Sequence, residues 1–270
     1  MIRIGVVIAQ QHADLSKMRD AWIRADEIGA DTLHVWDHFY PITGPPNGTS
    51  FEALALLAAV AEVTQHIEFG ALVLCNSYRN PHLVADAART IDHISGGRHI
   101  LGLGAGWFER DYVEYGYEFG TAAERLRALD RDVPIIRDRL ERLKPPPVRR
   151  MPILIGGAGE RVTLRITAQH ADIWNGGQMN VDGMRYKNEV LDSWCDKIDR
   201  DPSEIERSVS LWDMDWSEQL DDYVDAGVTH FAHFISDGSD LGADPGFPPM
   251  NWQMLEDLLA WRDTRNERSL

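Results

Sequence analysis

The sequence has little of what small secreted domains and membrane proteins depend on. Its 270 residues include two cysteines, Cys75 and Cys195, far apart and in no Cys-x-x-Cys pattern. That excludes a disulfide scaffold and a cysteine zinc site. The longest apolar runs, such as residues 53–63 with Glu62 among them, fall far short of a bilayer span. Met1-Ile2-Arg3-Ile4-Gly5 reads as the start of a strand, without the apolar core of a secretory signal, so a reducing cytoplasm is the expected setting. Basic charge is scarce. There are 27 Lys and Arg against 43 Asp and Glu, a formal net charge of −16. The densest basic point, Arg149-Arg150, sits beside prolines. An acidic body without a basic patch repels a phosphate backbone, so neither nucleic acid nor membrane is expected as a partner. Low-complexity tracts and close internal repeats are also missing.

What is present is a rhythm of short apolar strand, loop and amphipathic helix. Residues 2–8 are apolar and β-branched. Leu15, Met18, Trp22, Ala25 and Ile28 then recur at helical spacing and Gly29 closes the segment. The same alternation predicts strands at 32–35, 67–74, 100–103, 152–155, 172–174, 208–211 and 229–234. Helices are predicted at 51–61, 82–94, 122–143, 162–170, 182–199, 217–226 and 251–262. Pro145-Pro146-Pro147 ends the long helix, because proline neither donates to the helical ladder nor tolerates a helical predecessor. The strands are short and apolar without clean alternation, as parallel strands covered on both faces are. Eight strand–helix units in one chain of about this length predict a single-domain (β/α)8 TIM barrel over residues 1–270. A doubly wound sheet is the alternative, but no Gly-x-Gly-x-x-Gly follows the first strand.

In such a barrel the functional face lies at the C-terminal ends of the strands. Asp37-His38-Phe39, residues 75–79, Gly104-Ala105-Gly106-Trp107, residues 156–161 and Asn175-Gly176-Gly177 all follow predicted strands. The 156–161 stretch lies between a strand and a helix. Its glycines let backbone approach an anion such as phosphate, or serve turn geometry alone; the residues leave these two readings level. Asp37-His38 is the best acid/base candidate, although a lone dipeptide of this kind is more often a strand-end cap. Trp107 reads as a stacking wall or as rim packing. Asp111 and Glu114 read as a solvated acidic face rather than an acid/base pair. Cys75 reads as a small packing residue. His230 and His233, three apart in a strand, point to opposite faces and do not share a metal. No metal site is expected.

These stretches together resemble the luciferase-like superfamily of flavin- and deazaflavin-dependent oxidoreductases, and within it the branch dependent on coenzyme F420. The matching segments are residues 35–39, 75–81, 92–98, 102–109, 152–157 and 171–176, in family order over roughly residues 1–210. The resemblance implies a TIM barrel with a deazaflavin, or alternatively FMN, at the strand ends. It implies that Leu72 and Val73 form a bulge, often with a non-prolyl cis peptide, that props the ring. Asp37 would bond the ring end and His38 would donate the proton beside the reacting centre. Cys75, Ala105, Gly106 and Trp107 would line the ring, and Gly156, Gly157, Gly159 and Glu160 would hold the phosphate. The coenzyme would exchange a hydride with a small organic substrate. The alternatives are an FMN-dependent monooxygenase and a non-catalytic coenzyme-binding protein.

Two departures from the family pattern bear on the substrate. Trp107 stands where sugar-phosphate-oxidising relatives carry a glutamate, which argues against glucose 6-phosphate. Only residues 144–151 separate the fourth predicted barrel helix from the next strand, which predicts an open pocket. A homodimer is expected, partly by analogy. The helix at 51–63 is apolar on more than one side, including Leu56 and Val60, although burial in the barrel wall explains that equally. The Gly-, Asp- and Pro-rich stretch at 236–249 is read as a lid or a loop, with nothing to choose between them.

Overall fold

A computed structural model of the chain describes residues 1–212, 219–235 and 251–268. Its strands are β1 (Arg3–Ile8), β2 (Thr32–Val35), β3 (Glu68–Ala71), β4 (Leu74–Cys75), β5 (His99–Gly104), β6 (Ile153–Gly156), β7 (Ile173–Asn175), β8 (Glu206–Leu211) and β9 (His230–Ile235). Every pairing is parallel. The order runs β3-β2-β1-β9-β8-β7-β6-β5-β4, and a β3–β5 pairing closes the ring. β3 and β4 occupy one position of the barrel, so the closed sheet has the eight positions expected of a TIM barrel. The single strand expected at 67–74 is instead broken. Between its halves the Leu72–Val73 peptide is cis.

The helices are α1 (Leu15–Glu27), α2 (Ala53–Val63), α3 (Pro81–Ser95), α4 (Glu109–Tyr115), α5 (Ala122–Arg142), α6 (Thr163–His170), α7 (Val181–Asp196), α8 (Leu220–Asp225) and α9 (Trp252–Glu267). Local chemistry fixes their ends. Asn80 caps α3, Pro81 opens it, and Gly96 closes it in the left-handed region. Thr121 and Glu124 form a capping box at α5. α4 was not expected. It is short, and Gly116 in the left-handed region ends it. The proline loop is part of the barrel: Pro145 O and Pro146 O accept from Arg89 and His93 of α3. Leu56 and Val60 of α2 are buried within the chain, so burial in the barrel wall accounts for them. The stretch at 236–249 lies outside the described residues, as do residues 217 and 218 of the helix expected at 217–226. No helix among the described residues is long and apolar enough to cross a membrane.

The main hydrophobic cluster lies between barrel and helices, with Trp22, Leu57, Trp174 and Leu191 fully buried in it. The barrel's inside is separate. Two smaller clusters fill it, one around Val7, Trp36 and Phe234 and one around Ile100, Leu154 and Ile173. Towards the N-terminal end the interior turns polar. Thr32 Oγ1 bonds His230 Nε2 at 2.8 Å and His34 Nε2 at 3.1 Å, and Ser208 Oγ bonds His230 Nδ1 at 2.8 Å. The Thr32–His230 bond passes over β1 at Gly5, where a Cβ would overlap Thr32 Oγ1 and stand 2.9 Å from His230 Nε2. Only glycine leaves room for it. Arg3 closes that end through Glu68 and Glu206.

Burial makes the interior histidines hard to charge. Desolvation lowers His34 to about 3 and holds His230 well below its ordinary value. It lowers His99 and His233 to about 4. In the unfolded chain these groups titrate near ~6.5. Between pH 6.5 and 4 the unfolded chain therefore binds more protons than the folded one. The contribution is complete above pH 6.5 and is lost as pH falls, by up to about 1.4 kcal/mol per pH unit for each histidine. Urea unfolding at pH 7 and pH 5 is expected to show a clear loss of stability at pH 5. Equal unfolding free energies at the two values would contradict these buried neutral histidines.

Candidate functional site

A cavity of about 350 Å³ opens at the C-terminal ends of the strands, at the lower end of the ~300–1,000 Å³ usual for small-molecule sites. A larger, open depression of about 900 Å³ lies at the opposite end of the barrel. Several of its charged groups pair with one another, in Arg3–Glu206, Arg149–Glu68 and Arg207–Asp192 pairs. The strand-end cavity is the candidate site. Asp37, His38, Leu72, Val73, Cys75, Ala105, Gly106, Trp107, Gly156 and Gly157 all line it. Gly159 and Glu160 do not. The Glu160 carboxylate turns outward to Lys187 Nζ at 2.6 Å, which lowers its pKa.

The floor is built from absent side chains. A Cβ on Gly104 would stand 2.5 Å from Val73 Cγ2, and one on Gly156 would stand 2.9 Å from Val73 Cγ1. The broken third strand thus delivers Val73 into space that two neighbouring strands leave empty. Gly157 has φ +121° and Gly106 φ +80°, in the region that favours glycine. β6 then opens into the turn before α6. That helix begins without a side-chain cap, and Thr163, its first residue, lines the cavity. First-turn amides of a helix lack intrahelical partners and carry partial positive charge, so this corner suits a phosphate. The flat glycine floor beside it suits a fused ring.

Asp37 is almost wholly buried. Arg79 clamps it through two bonds of 2.6 and 2.8 Å, and the Cys75 N–H donates a third at 2.8 Å. Burial raises the Asp37 carboxyl above its ordinary value, against the pull of Arg79 and the amide. Arg79 also reaches Glu52 at 2.6 Å. The pair therefore ties the loop after β2 to the end of β4.

His38 is held from behind. Its Nδ1 lies 2.9 Å from Asp111 Oδ2. A carboxylate only accepts, so Nδ1 carries the proton and Nε2 is left for the cavity. The ring sits 5.4 Å from the rings of Trp107 and Phe108, edge to face. Asp111 corrects the expectation of a solvated acidic face. It is fully buried, and its carboxylate also accepts from Tyr40 N at 3.1 Å and Tyr78 Oη at 3.2 Å. The sequence pattern hid this because α4 turns Asp111 inward. Glu114 stays exposed beside Arg110. Cys75 behaves as expected of a packing residue: burial pushes its thiol up, and its Sγ meets Tyr112 Oη at 3.1 Å.

The sequence reading missed Thr163, Ser210, Trp212 and Phe234 as lining residues, and Arg79 and Asp111 as supports. Ser210 and Trp212 follow Ser208 at alternate positions of β8 and beyond it. Inward alternation at a strand end was the available signal. No cluster of metal-ligating side chains exists among the described residues.

Residues 2–212 match the luciferase-like monooxygenase family. Over 139 residues the chain is 32% identical to the F420-dependent glucose-6-phosphate dehydrogenase of Amycolatopsis mediterranei (strain U-32), covering 51% of this chain and 41% of that protein. The chain thus spans about two fifths of the length of that curated relative. An F420-dependent secondary alcohol dehydrogenase in complex with an F420-acetone adduct has the same fold, with a TM-score of 0.79 at 17% identity over 89% of this chain and 94% of that one. The coenzyme F420-dependent tetrahydromethanopterin reductase from Methanopyrus kandleri gives a TM-score of 0.71 at 15% identity, over 90% and 94%.

Removing Arg79 strands a buried carboxylate. Arg79→Met is expected to lower the unfolding free energy by about 3–5 kcal/mol. Arg79→Met combined with Asp37→Asn is expected to recover part of the loss. Urea denaturation of the two variants checks this.

Proposed function

The chain belongs to the luciferase-like monooxygenase family, and from that premise we propose that it is an oxidoreductase dependent on coenzyme F420. On this reading it exchanges a hydride between the deazaflavin and a small organic substrate in the strand-end cavity. The observation that carries the proposal is the joint placement of His38, braced by Asp111, and the glycine floor beside the start of α6, which no side chain caps. Two relatives, 32% and 34% identical over about half of the chain, are named as F420-dependent glucose-6-phosphate dehydrogenases, which favours this coenzyme over FMN.

The residues fit such a group. Gly104 and Gly156 give a flat seat over Val73, and the Gly157–Thr163 corner suits the phosphate. When bound, the coenzyme supplies the hydride donor or acceptor. The protein's part is positional and protic. Asp111 fixes the His38 tautomer so that Nε2 faces the substrate. As the imidazolium, His38 gives the Nε2 proton to the oxygen or conjugated carbon that gains negative charge when its neighbouring carbon receives hydride, and as the neutral Nδ1–H tautomer it takes at Nε2 the hydroxyl proton of a carbinol being oxidised. Asp37 and Arg79 hold the His38 loop against β4. Trp107 shields the reacting edge from one side.

Two measurements test this. In a fluorescence titration of cofactor-free protein, F420 is expected to bind at micromolar concentration or below and FMN at least tenfold more weakly. Gly157→Asp, which adds negative charge and a side chain at φ +121°, is expected to abolish F420 binding. Preferential FMN binding would shift the reading to an oxygen-using monooxygenase. Binding of neither would reject it. Separately, Asp111→Asn is expected to leave the F420 dissociation constant within twofold, while ¹⁵N NMR of His38 loses its fixed Nδ1–H tautomer. An unchanged tautomer would remove Asp111 from its role.

A further inference from the structure

The cavity has two unlike arcs. The strands from β5 to β7 contribute small or polar groups: Gly104, Gly156 and Asn175. The opposite arc, from β8 through β9 and β1 to β2, contributes Trp212, Phe234 and Trp36. These three form one surface. Trp212 and Phe234 have ring centroids 4.8 Å apart, and Trp36 stacks on Phe234 at 6.1 Å with an interplanar angle of 18°. β1 itself adds no bulk, since Val7 and Ala9 lie in the same cluster. Trp107, 61% exposed, stands beyond His38 at the mouth.

Charge is as telling as shape. Among the described residues that line the cavity there is no Lys, Arg or Glu. Its ionisable groups with a charged partner are Asp37, paired with Arg79, and His38, hydrogen-bonded to Asp111. Around the cavity Arg79 is committed to two carboxylates, Arg125 to the carbonyls of Gly106 and Phe119, and Lys187 to Glu160, while Arg161 stands in the turn after β6, on the glycine side and not in the aromatic arc. The chain that follows β8 and β9 outside the described residues, 213–218 and 236–250, contains no Lys, Arg or His. Its charged residues are Asp213, Asp215, Glu218, Asp237, Asp240 and Asp244. It has no cation to supply. A phosphate or carboxylate on the substrate would therefore enter the aromatic arc unpaired, in the field of a chain of net charge −16.

We infer that the substrate is an uncharged, flat, largely apolar molecule, an aromatic or conjugated carbonyl compound or the corresponding carbinol, and not a phosphorylated or carboxylated one. The inference rests on reading this cavity as the coenzyme and substrate site. Rings lie against Trp212 and Phe234, and the single polar group is presented to His38.

A charge-matched pair of probes tests it. Calorimetric titrations of the wild-type protein, with and without saturating F420, use 2-acetylnaphthalene, 2-naphthoate and glucose 6-phosphate. The neutral ketone is expected to bind at least tenfold more tightly than the carboxylate of the same shape, and glucose 6-phosphate not to bind. Trp212→Ala is expected to weaken the ketone at least tenfold with F420 affinity unchanged, and Trp212→Phe to retain it. Discrimination below tenfold, binding of glucose 6-phosphate, or no binding of the ketone overturns the inference. The wild-type comparison decides it even if Trp212→Ala fails to fold. If discrimination holds and F420 does not bind, the coenzyme proposal falls and the substrate class stands. If F420 binds without discrimination, only the substrate class falls.

Discussion

A closed barrel of eight parallel strands receives inside it only every second side chain, and the volume there is fixed by the closure itself. Each glycine on the inner face must then be answered by a group from elsewhere. Gly5 is answered by the Thr32–His230 hydrogen bond that passes over β1. Gly104 and Gly156 are answered by Val73, and that in turn requires the third strand to break between Ala71 and Leu74. The polar interior at one end and the ring-shaped seat at the other are two solutions to one packing problem. Placing the seat at the strand ends is what brings it within reach of the loops.

Buried carboxylates then tie those loops to the barrel. Asp111 accepts from three groups belonging to the β2 loop and the turn after β4. Asp37 is clamped by Arg79 and the Cys75 amide. At the far end Asp26 accepts from the amides of residues 65, 66 and 67, and Asp172 accepts from Ile153 N. In each case an ionised acceptor organises several donors at once, which no neutral side chain does as strongly. Part of the acidic composition is thus structural.

Most of the barrel was legible because its signal is local. Strand runs and the proline stop fall where the sequence places them, with Pro145-Pro146-Pro147 just beyond the end of α5. The glycine-rich stretches marked the right rim for the same reason. What escaped depends on contacts between distant residues. The break in the third strand at Leu72–Val73 is implied by the family resemblance but not by the local pattern, because it depends on Val73 meeting Gly104 and Gly156. Asp111 looks like one more acid in a polar helix until α4 turns it to His38, 73 residues away. Glu160 sits in the right motif, but its side chain follows Lys187 outward. Trp212 and Phe234 carry no motif; only their inward register in adjacent strands joins them.

The separation of the cavity into two arcs also bears on how such a protein changes over time. The glycine arc is locked, because Val73 fills the space beside Gly104 and Gly156 and a side chain at either glycine would collide with it. The aromatic arc is under no such reciprocity. Trp212 is the last described residue after β8, and its ring packs against Phe234. Drift on that side leaves the glycine floor untouched, so one scaffold can change what that wall admits in single steps while the glycine side is held as a block.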